Sequence, residues 1–349
     1  MWQLDNRTAF AAERSWVRDR DGAEIWLVAL KCTFDIMPDG TTVIAPTQPP
    51  VVRAPEYNGE AGKSSLKFES DLILTKTTTD IVVAGHAYAP DQKPTTRMDV
   101  GFRVGPVQKV LRVFGDRIWE TFGPSSPLPF TKMPLVYERA YGGVDMQSEH
   151  PERDWEWRNP VGRGFAVARE HLKGCAVPNI EYANEPFSSW NDRPRPAGFG
   201  PIGSHWQPRA AFAGTYDDKW MKERQPLVPE DFDNRFFQAV PADQQAPSFL
   251  KGGEPVVLRG LTPNGSLRFQ LPRVFPAFET RFFDGSRELH RGRNLHTVIL
   301  EPDYPRVSLV WHSALPCHFK VHKLERTVVK LKAGLGGGAS VAAQELDVA

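Results

Sequence analysis

Glycine and proline set the terms on which this chain can fold. They number 28 and 31 among 349 residues, about one residue in six where roughly one in eight is usual. Proline breaks helices and is kept out of central strands. Short strands separated by many turns are what this punctuation permits, and the apolar pattern between the breaks agrees. Residues 25–36 (IWLVALKCTFDI) are apolar on both faces at first, then alternate Cys32, Phe34 and Ile36 with Lys31, Thr33 and Asp35. Period two over this length predicts a strand. Pro38, Asp39 and Gly40 supply turn chemistry before the β-branched residues 41–44, which predicts a hairpin.

Further strands are predicted over residues 80–88 (DIVVAGHAY), 98–104 and 107–114, the last two joined by Gly105-Pro106. Residues 124–247 differ. They are dense in Pro, Gly, Trp, Arg and Asn, and residues 193–201 (RPRPAGFGP) can be neither helix nor central strand. Yet this stretch carries Trp155, Trp157, Trp190, Trp206, Trp220, Phe199, Phe212, Phe232, Phe236 and Phe237, aromatics that a disordered segment lacks. A long ordered wrap follows, its aromatics pinned against a β core. Strands return in a hairpin over residues 255–260 and 267–271 around Asn264-Gly265, then at 278–283, 294–300 and 306–311. Only residues 155–158 and 219–224 suggest a helical turn. The expectation is an all-β or β-dominated fold, a sandwich or two packed sheets. It forms one unit over residues 1–330, with divisions near 125–130 and 250 as the alternative. A flexible Gly-rich tail over 331–349 completes it.

Charge excludes little by itself, but Lys plus Arg number 43 against 42 for Asp plus Glu. A net charge of +1 gives no overall field for nucleic acid or an anionic membrane. Residues 1–7 (MWQLDNR) lack a signal peptide's basic and apolar segments, and no apolar run approaches the roughly 20 residues of a membrane-spanning helix. Cys32, Cys175 and Cys317 are too scattered for a disulfide framework or a metal pair. Free buried thiols in a cytoplasmic protein are expected.

No catalytic or cofactor motif emerges. A dinucleotide Gly-x-Gly-x-x-Gly after a strand, the nucleophile elbow G-x-S-x-G and His-Glu-x-x-His are all absent. Residues 61–65 (AGKSS) end like a phosphate loop, but Tyr57 stands where its first glycine belongs. No cofactor is therefore expected. His318 and His322 share one face if residues 317–322 alternate as a strand, and His312 makes a three-ligand zinc site conceivable. Asp217-Asp218 and residues 230–233 are acidic clusters that either cap turns or serve acid–base chemistry. These two sets define one function class, a metal-dependent or acid–base hydrolase. Arginines interleaved with aromatics define another. Arg139, Tyr141, Arg158, Arg163 and Trp206 lie in the loop-rich region and have the composition of interface anchors, or of groups that tie the wrap down.

Several strings carry a family resemblance: residues 54–67 (APEYNGEAGKSSLK), 137–145 (YERAYGGVD), 158–165 (RNPVGRGF), 196–201 (PAGFGP), 231–238 (DFDNRFFQ) and 250–254 (LKGGE). Over most of residues 1–325 the chain resembles a bacterial domain of unknown function found in type VI secretion gene clusters. There it neighbours spike-tip proteins with a Pro-Ala-Ala-Arg repeat and toxic effectors. The resemblance implies an adaptor or chaperone that binds an effector or spike-tip protein and aids its loading, the partner being a separate chain.

Overall fold

The computed structural model describes residues 2–290 and 293–332. Its longest strand is Glu24–Ile36, buried on both faces over nearly its whole length. A strand with two apolar faces must be covered on both sides, and this one lies inside a six-stranded sheet. In order, that sheet runs Ala11–Arg18, Glu24–Ile36, Arg306–Pro316, Arg293–Glu301 and Asp80–Val83, and Thr42–Ile44 also pairs with Glu24–Ile36. The last pairing is the hairpin expected around Gly40, with Phe34 opposite Ile44.

A five-stranded sheet takes Ile180–Glu181, Val107–Phe114, Arg97–Val104, Pro255–Arg259 and Ser266–Gln270 in that order. It holds the hairpin expected around Asn264-Gly265 and the two strands expected on either side of Gly105-Pro106. A four-stranded sheet, Gln3–Asn6, Leu324–Leu331, Pro276–Phe282 and Arg287–Leu289, packs on the six-stranded one. There Trp26 Nε1 donates to Thr327 Oγ1 at 2.9 Å. The fold is β-dominated as expected, built on three larger sheets instead of two. Most pairings are antiparallel; Gln3–Asn6 with Leu324–Leu331 and Asp80–Val83 with Arg293–Glu301 are parallel. The largest buried apolar cluster runs from Phe10 to Val329 and draws on all three sheets.

Residues 80–88 do not form one strand. Asp80–Val83 joins the six-stranded sheet, and His86–Tyr88 pairs with Lys132–Pro134. The break falls at Gly85, where a Cβ would meet the Pro302 ring at 3.1 Å. Nothing local to residues 80–88 announces that close approach.

The wrap is ordered, and its helix is confined to short turns. Its one α-helix among the described residues is Asp218–Glu223, and residues 155–158 form a non-helical turn. Of the ten aromatics singled out in the sequence, Phe199, Trp206 and Phe232 are buried, Trp157 is exposed and the others are partly buried. Phe199 reaches the main core and meets Phe102 edge to face at 5.5 Å. Each buried aromatic contributes on the order of 2–3 kcal/mol against the entropy of ordering irregular chain. Buried polar ties fix the rest. Asp80 accepts from Lys76 Nζ at 2.5 Å, Gln238 Nε2 at 2.7 Å and the Ala239 N–H at 2.8 Å. Arg209 pairs with Glu69 at 2.5 Å and donates to the Phe236 carbonyl at 2.7 Å.

No helix of the described residues is long and apolar enough to cross a membrane. Cys32 and Cys317 are buried, Cys175 is partly buried, and all three are free thiols. The final strand carries regular structure to Leu331; the glycine-rich tail expected beyond it lies, from residue 333, outside the described residues.

Candidate functional site

Two glycine-rich strings cross in the wrap, and the crossing places most of the arginines and aromatics singled out in the sequence. Tyr141–Gly142 pairs in parallel with Arg163–Gly164. Asn159 sits fully buried beneath the crossing, its Nδ2 donating to the Tyr137 carbonyl at 2.8 Å and the Tyr141 carbonyl at 3.0 Å. The strings approach so closely that a Cβ on Gly162 would lie 2.4 Å from Asn159 Nδ2. Only glycine fits there.

Around the crossing the polar side chains are committed to one another. Arg139 Nη1 donates to Asp116 at 2.9 Å and to Asn179 Oδ1 at 3.2 Å. Arg163 donates to the Glu138 carbonyl at 2.8 Å and to the same Asn179 oxygen at 3.3 Å. Burial, reinforced by neighbouring Arg139, holds the Arg163 guanidinium below its usual pKa. The Glu138 carboxylate reaches the loop of residues 61–65, accepting from Ser65 N–H and Ser65 Oγ at 2.7 Å each. In that loop Ser64 and Ser65 serve internal bonds and Lys63 pairs with Glu60; the resemblance to a phosphate loop ends at the letters.

Of the five residues singled out as partner contacts, two lie in the interior. Tyr141 packs among Trp119, Leu172, Val177 and Phe187, and Trp206 among Tyr137, Ala140 and Ile202. Each is only 1% exposed, which leaves no area for a partner. Arg139 and Arg163 are partly buried within the network. Arg158 is held by Glu156 at 2.7 Å and lines a cleft.

Several apolar side chains in and beside the wrap are exposed. Phe122 is 89% exposed, Met146 77% and Trp157 56%, with Leu128, Val167 and Val144 exposed as well. Trp157 stacks on Trp155 at 4.4 Å, Trp155 bridges to Val144, and Val144 adjoins Met146. A groove of about 440 Å³ runs between residues 142–147 and 161–165, floored by Leu172 and Cys175. Asp145 fixes its rim. Burial works against the charge on that carboxylate, but bonds from His171 (2.7 Å) and the Val167 and Gln147 N–H groups outweigh it and hold its pKa below the usual range. Sequence reading missed Phe122 and Met146 because each is a lone apolar residue in a polar loop. Such a residue reads alike whether it faces in or out.

The histidines expected to share a face do not. Residues 317–322 turn after Pro316 instead of continuing as a strand, with Cys317 and Val321 inward and His318 and His322 exposed. His312 lies inside the six-stranded sheet, stacked on His296 at 4.5 Å. Among the described residues no group of three or more His, Cys, Asp or Glu side chains is placed to hold a metal ion. Asp217 caps the helix Asp218–Glu223 by accepting from the Trp220 N–H at 2.8 Å. Asp231 and Asp233 likewise hold Thr215 and Arg235.

One pairing had no sequence signal, its members standing 217 residues apart. His86 Nδ1 lies 2.6 Å from Asp303 Oδ2, and Tyr88 donates to Asp303 Oδ1 at 3.0 Å. The pair borders a cleft of about 390 Å³ in which no serine, threonine or cysteine is among the lining residues. A carboxylate-oriented imidazole can accept a proton, and Lys67, Tyr57 and Tyr304 are among the residues that line the same cleft.

Comparison with curated proteins and with solved structures finds no match. A family model described as an uncharacterized protein conserved in bacteria (DUF2169) matches residues 21–312, from the turn before the central strand to His312. With most of its length matched, the chain belongs to that uncharacterized bacterial family.

Proposed function

We propose that this chain is a non-catalytic adaptor that binds another protein, and that the partner is a type VI effector or spike-tip protein which it helps to load. The observation that carries the reading is the apolar surface of the wrap. Met146 and Trp157 project from irregular backbone beside the crossing that Asn159 and the Arg139–Asp116–Asn179–Arg163 network tie together, and Phe122 projects from the loop just before the wrap. Exposed aromatics and methionine on a rigid scaffold are what a protein interface selects. Rigid loops also lose little conformational entropy on binding. The resemblance of residues 54–67, 137–145 and 158–165 to the secretion-associated domain supplies the identity of the partner. In this structure those strings build the scaffold beneath the surface.

The test is co-expression of the tagged chain with the products of its neighbouring genes, followed by affinity capture. The expected result is a stoichiometric complex with an effector or spike-tip protein, weakened at least tenfold by Met146→Glu or Trp157→Glu. Capture of none of them, or capture unaffected by both substitutions, refutes the reading.

A further inference from the structure

Tyr137 is 2% exposed, and its hydroxyl has no hydrogen-bond partner among the described residues. Its ring is not free to seek one. Trp206 meets it edge-on at 5.7 Å, and Gly198 lies so close that a Cβ there would be 2.6 Å from Cζ. Native proteins leave few buried polar groups unpaired, and one that borders a cavity can be met there by a water or a ligand.

Tyr137 borders a cleft of about 460 Å³, within the roughly 300–1,000 Å³ typical of small-ligand sites. Pro196, Ile202, Pro208 and Pro241 form apolar walls. The polar lining is short: Tyr137, Tyr182, Arg158, Arg195, Gln207 and Asp243. Most of its acceptor capacity is taken. Asp243 accepts from Lys109 Nζ at 3.0 Å on one oxygen and from Tyr182 OH at 2.7 Å on the other. The donors are not all used. Arg158 commits Nε and Nη2 to Glu156 at 2.8 and 2.7 Å, with Nη2 also 3.3 Å from the Arg193 carbonyl. Arg195 commits the same two nitrogens to Glu185 at 2.8 and 2.6 Å while stacking over Tyr182 at 4.3 Å. Neither Nη1 is bonded within the described residues. Two guanidinium edges and a phenol, set in apolar walls, complement an oxygen group with several lone pairs, and a carboxylate satisfies them best.

We propose that this cleft binds a ligand with an apolar body of about one residue's size and a terminal carboxylate. The site goes beyond the adaptor reading and does not depend on it. Two sources supply such a group, a small organic acid and the C-terminal residue of a polypeptide, and both are tested on the purified full-length chain. One arm titrates 3-phenylpropionate and indole-3-acetate beside their amides. The other titrates pentapeptides ending in Phe, Leu or Trp with a free or an amidated C-terminus.

The expected result is saturable binding of free acids in at least one arm, about tenfold or more tighter than the matching amides. Binding in the first arm alone identifies a small-molecule site; binding of free-ended peptides identifies capture of a chain end. Tyr137→Phe weakens that binding about tenfold or more while the unliganded Tm holds or rises, because the substitution removes an unpaired buried hydroxyl. Arg195→Gln abolishes the preference for acid over amide. No saturable binding in either arm, or equal binding of acids and amides, overturns the proposal. So does a drop of several degrees in unliganded Tm for Tyr137→Phe, which assigns the hydroxyl to an internal water. A failed partner capture with intact acid binding separates this site from the adaptor reading.

Discussion

The buried histidines predict that mild acid destabilises this protein. His290 is wedged between Ser313 Oγ at 2.7 Å and Thr280 Oγ1 at 2.8 Å, and burial pushes its pKa down to about 4. His312 is pushed to about 3 by burial, with Lys76 and His290 adding to the effect. His296, stacked on His312, moves the same way through burial, then His312 and Lys76. All three stay neutral in the folded protein while the unfolded chain takes up protons below about pH 6.5. Stability is therefore complete above that value and falls as the pH drops, until the folded histidines themselves protonate. Each contributes a slope of about 1.4 kcal/mol per pH unit. His290 and His312 together give about 2.7, and His296 brings the slope near 4. By pH 5 His290 and His312 have each cost about 2 kcal/mol and His296 adds in the same direction, a loss that approaches the low end of the roughly 5–15 kcal/mol that holds a domain folded. Carboxylates held low by their partners, such as Asp145 and Glu185, titrate beneath this window. Urea unfolding at half-unit steps from pH 7 to pH 5 measures the slope, and His312→Gln reduces it by about a third whatever it does to stability at pH 7. A midpoint that does not move with pH, or an unchanged slope in His312→Gln, refutes the reasoning.

Three further outcomes follow from the packing. Lys76→Met strands the Asp80 carboxylate in the interior and costs about 3–5 kcal/mol, as does Asp80→Leu by stranding Lys76, while the double substitution Lys76→Met with Asp80→Leu costs less than the two singles together; urea midpoints decide it. Asn159→Ala frees two buried carbonyls and costs about 2–3 kcal/mol, and Gly162→Ala costs at least as much because its Cβ would overlap Asn159 Nδ2; Tm values of both variants test this. Met146→Glu leaves unfolding within about 0.5 kcal/mol of the parent, so its loss of partner capture is a loss of contact surface, whereas Trp157→Glu also forfeits the stack on Trp155 and lowers stability by about 1–2 kcal/mol; urea midpoints check both.

Legibility in the sequence tracked how local each cause was. The strand Glu24–Ile36 and the hairpin Pro255–Arg259 with Ser266–Gln270 could be read because alternation and turn residues lie within a dozen positions. Residues 80–88 read as one strand because the strands that claim its two halves, Arg293–Glu301 and Lys132–Pro134, are distant in sequence. Tyr141 and Trp206 looked like surface anchors for a similar reason. An aromatic among glycines and prolines has the same local pattern whether it meets a partner or, like Tyr141, meets Phe187 at 5.6 Å. The expected alternation at residues 317–322 gave way to a turn in which His318 and Phe319 take left-handed backbone, with φ of 46° and 61°. The acidic clusters were legible as helix and turn caps from spacing alone, and Asp217 fills that role.

The measurement that tests the adaptor account most directly is affinity capture of the tagged full-length chain co-expressed with its neighbouring gene products. The account predicts a stoichiometric complex with an effector or spike-tip protein, lost in Met146→Glu and Trp157→Glu and retained in a distant surface variant such as Lys63→Ala. A chain that captures none of those products, or a complex indifferent to Met146 and Trp157, contradicts it.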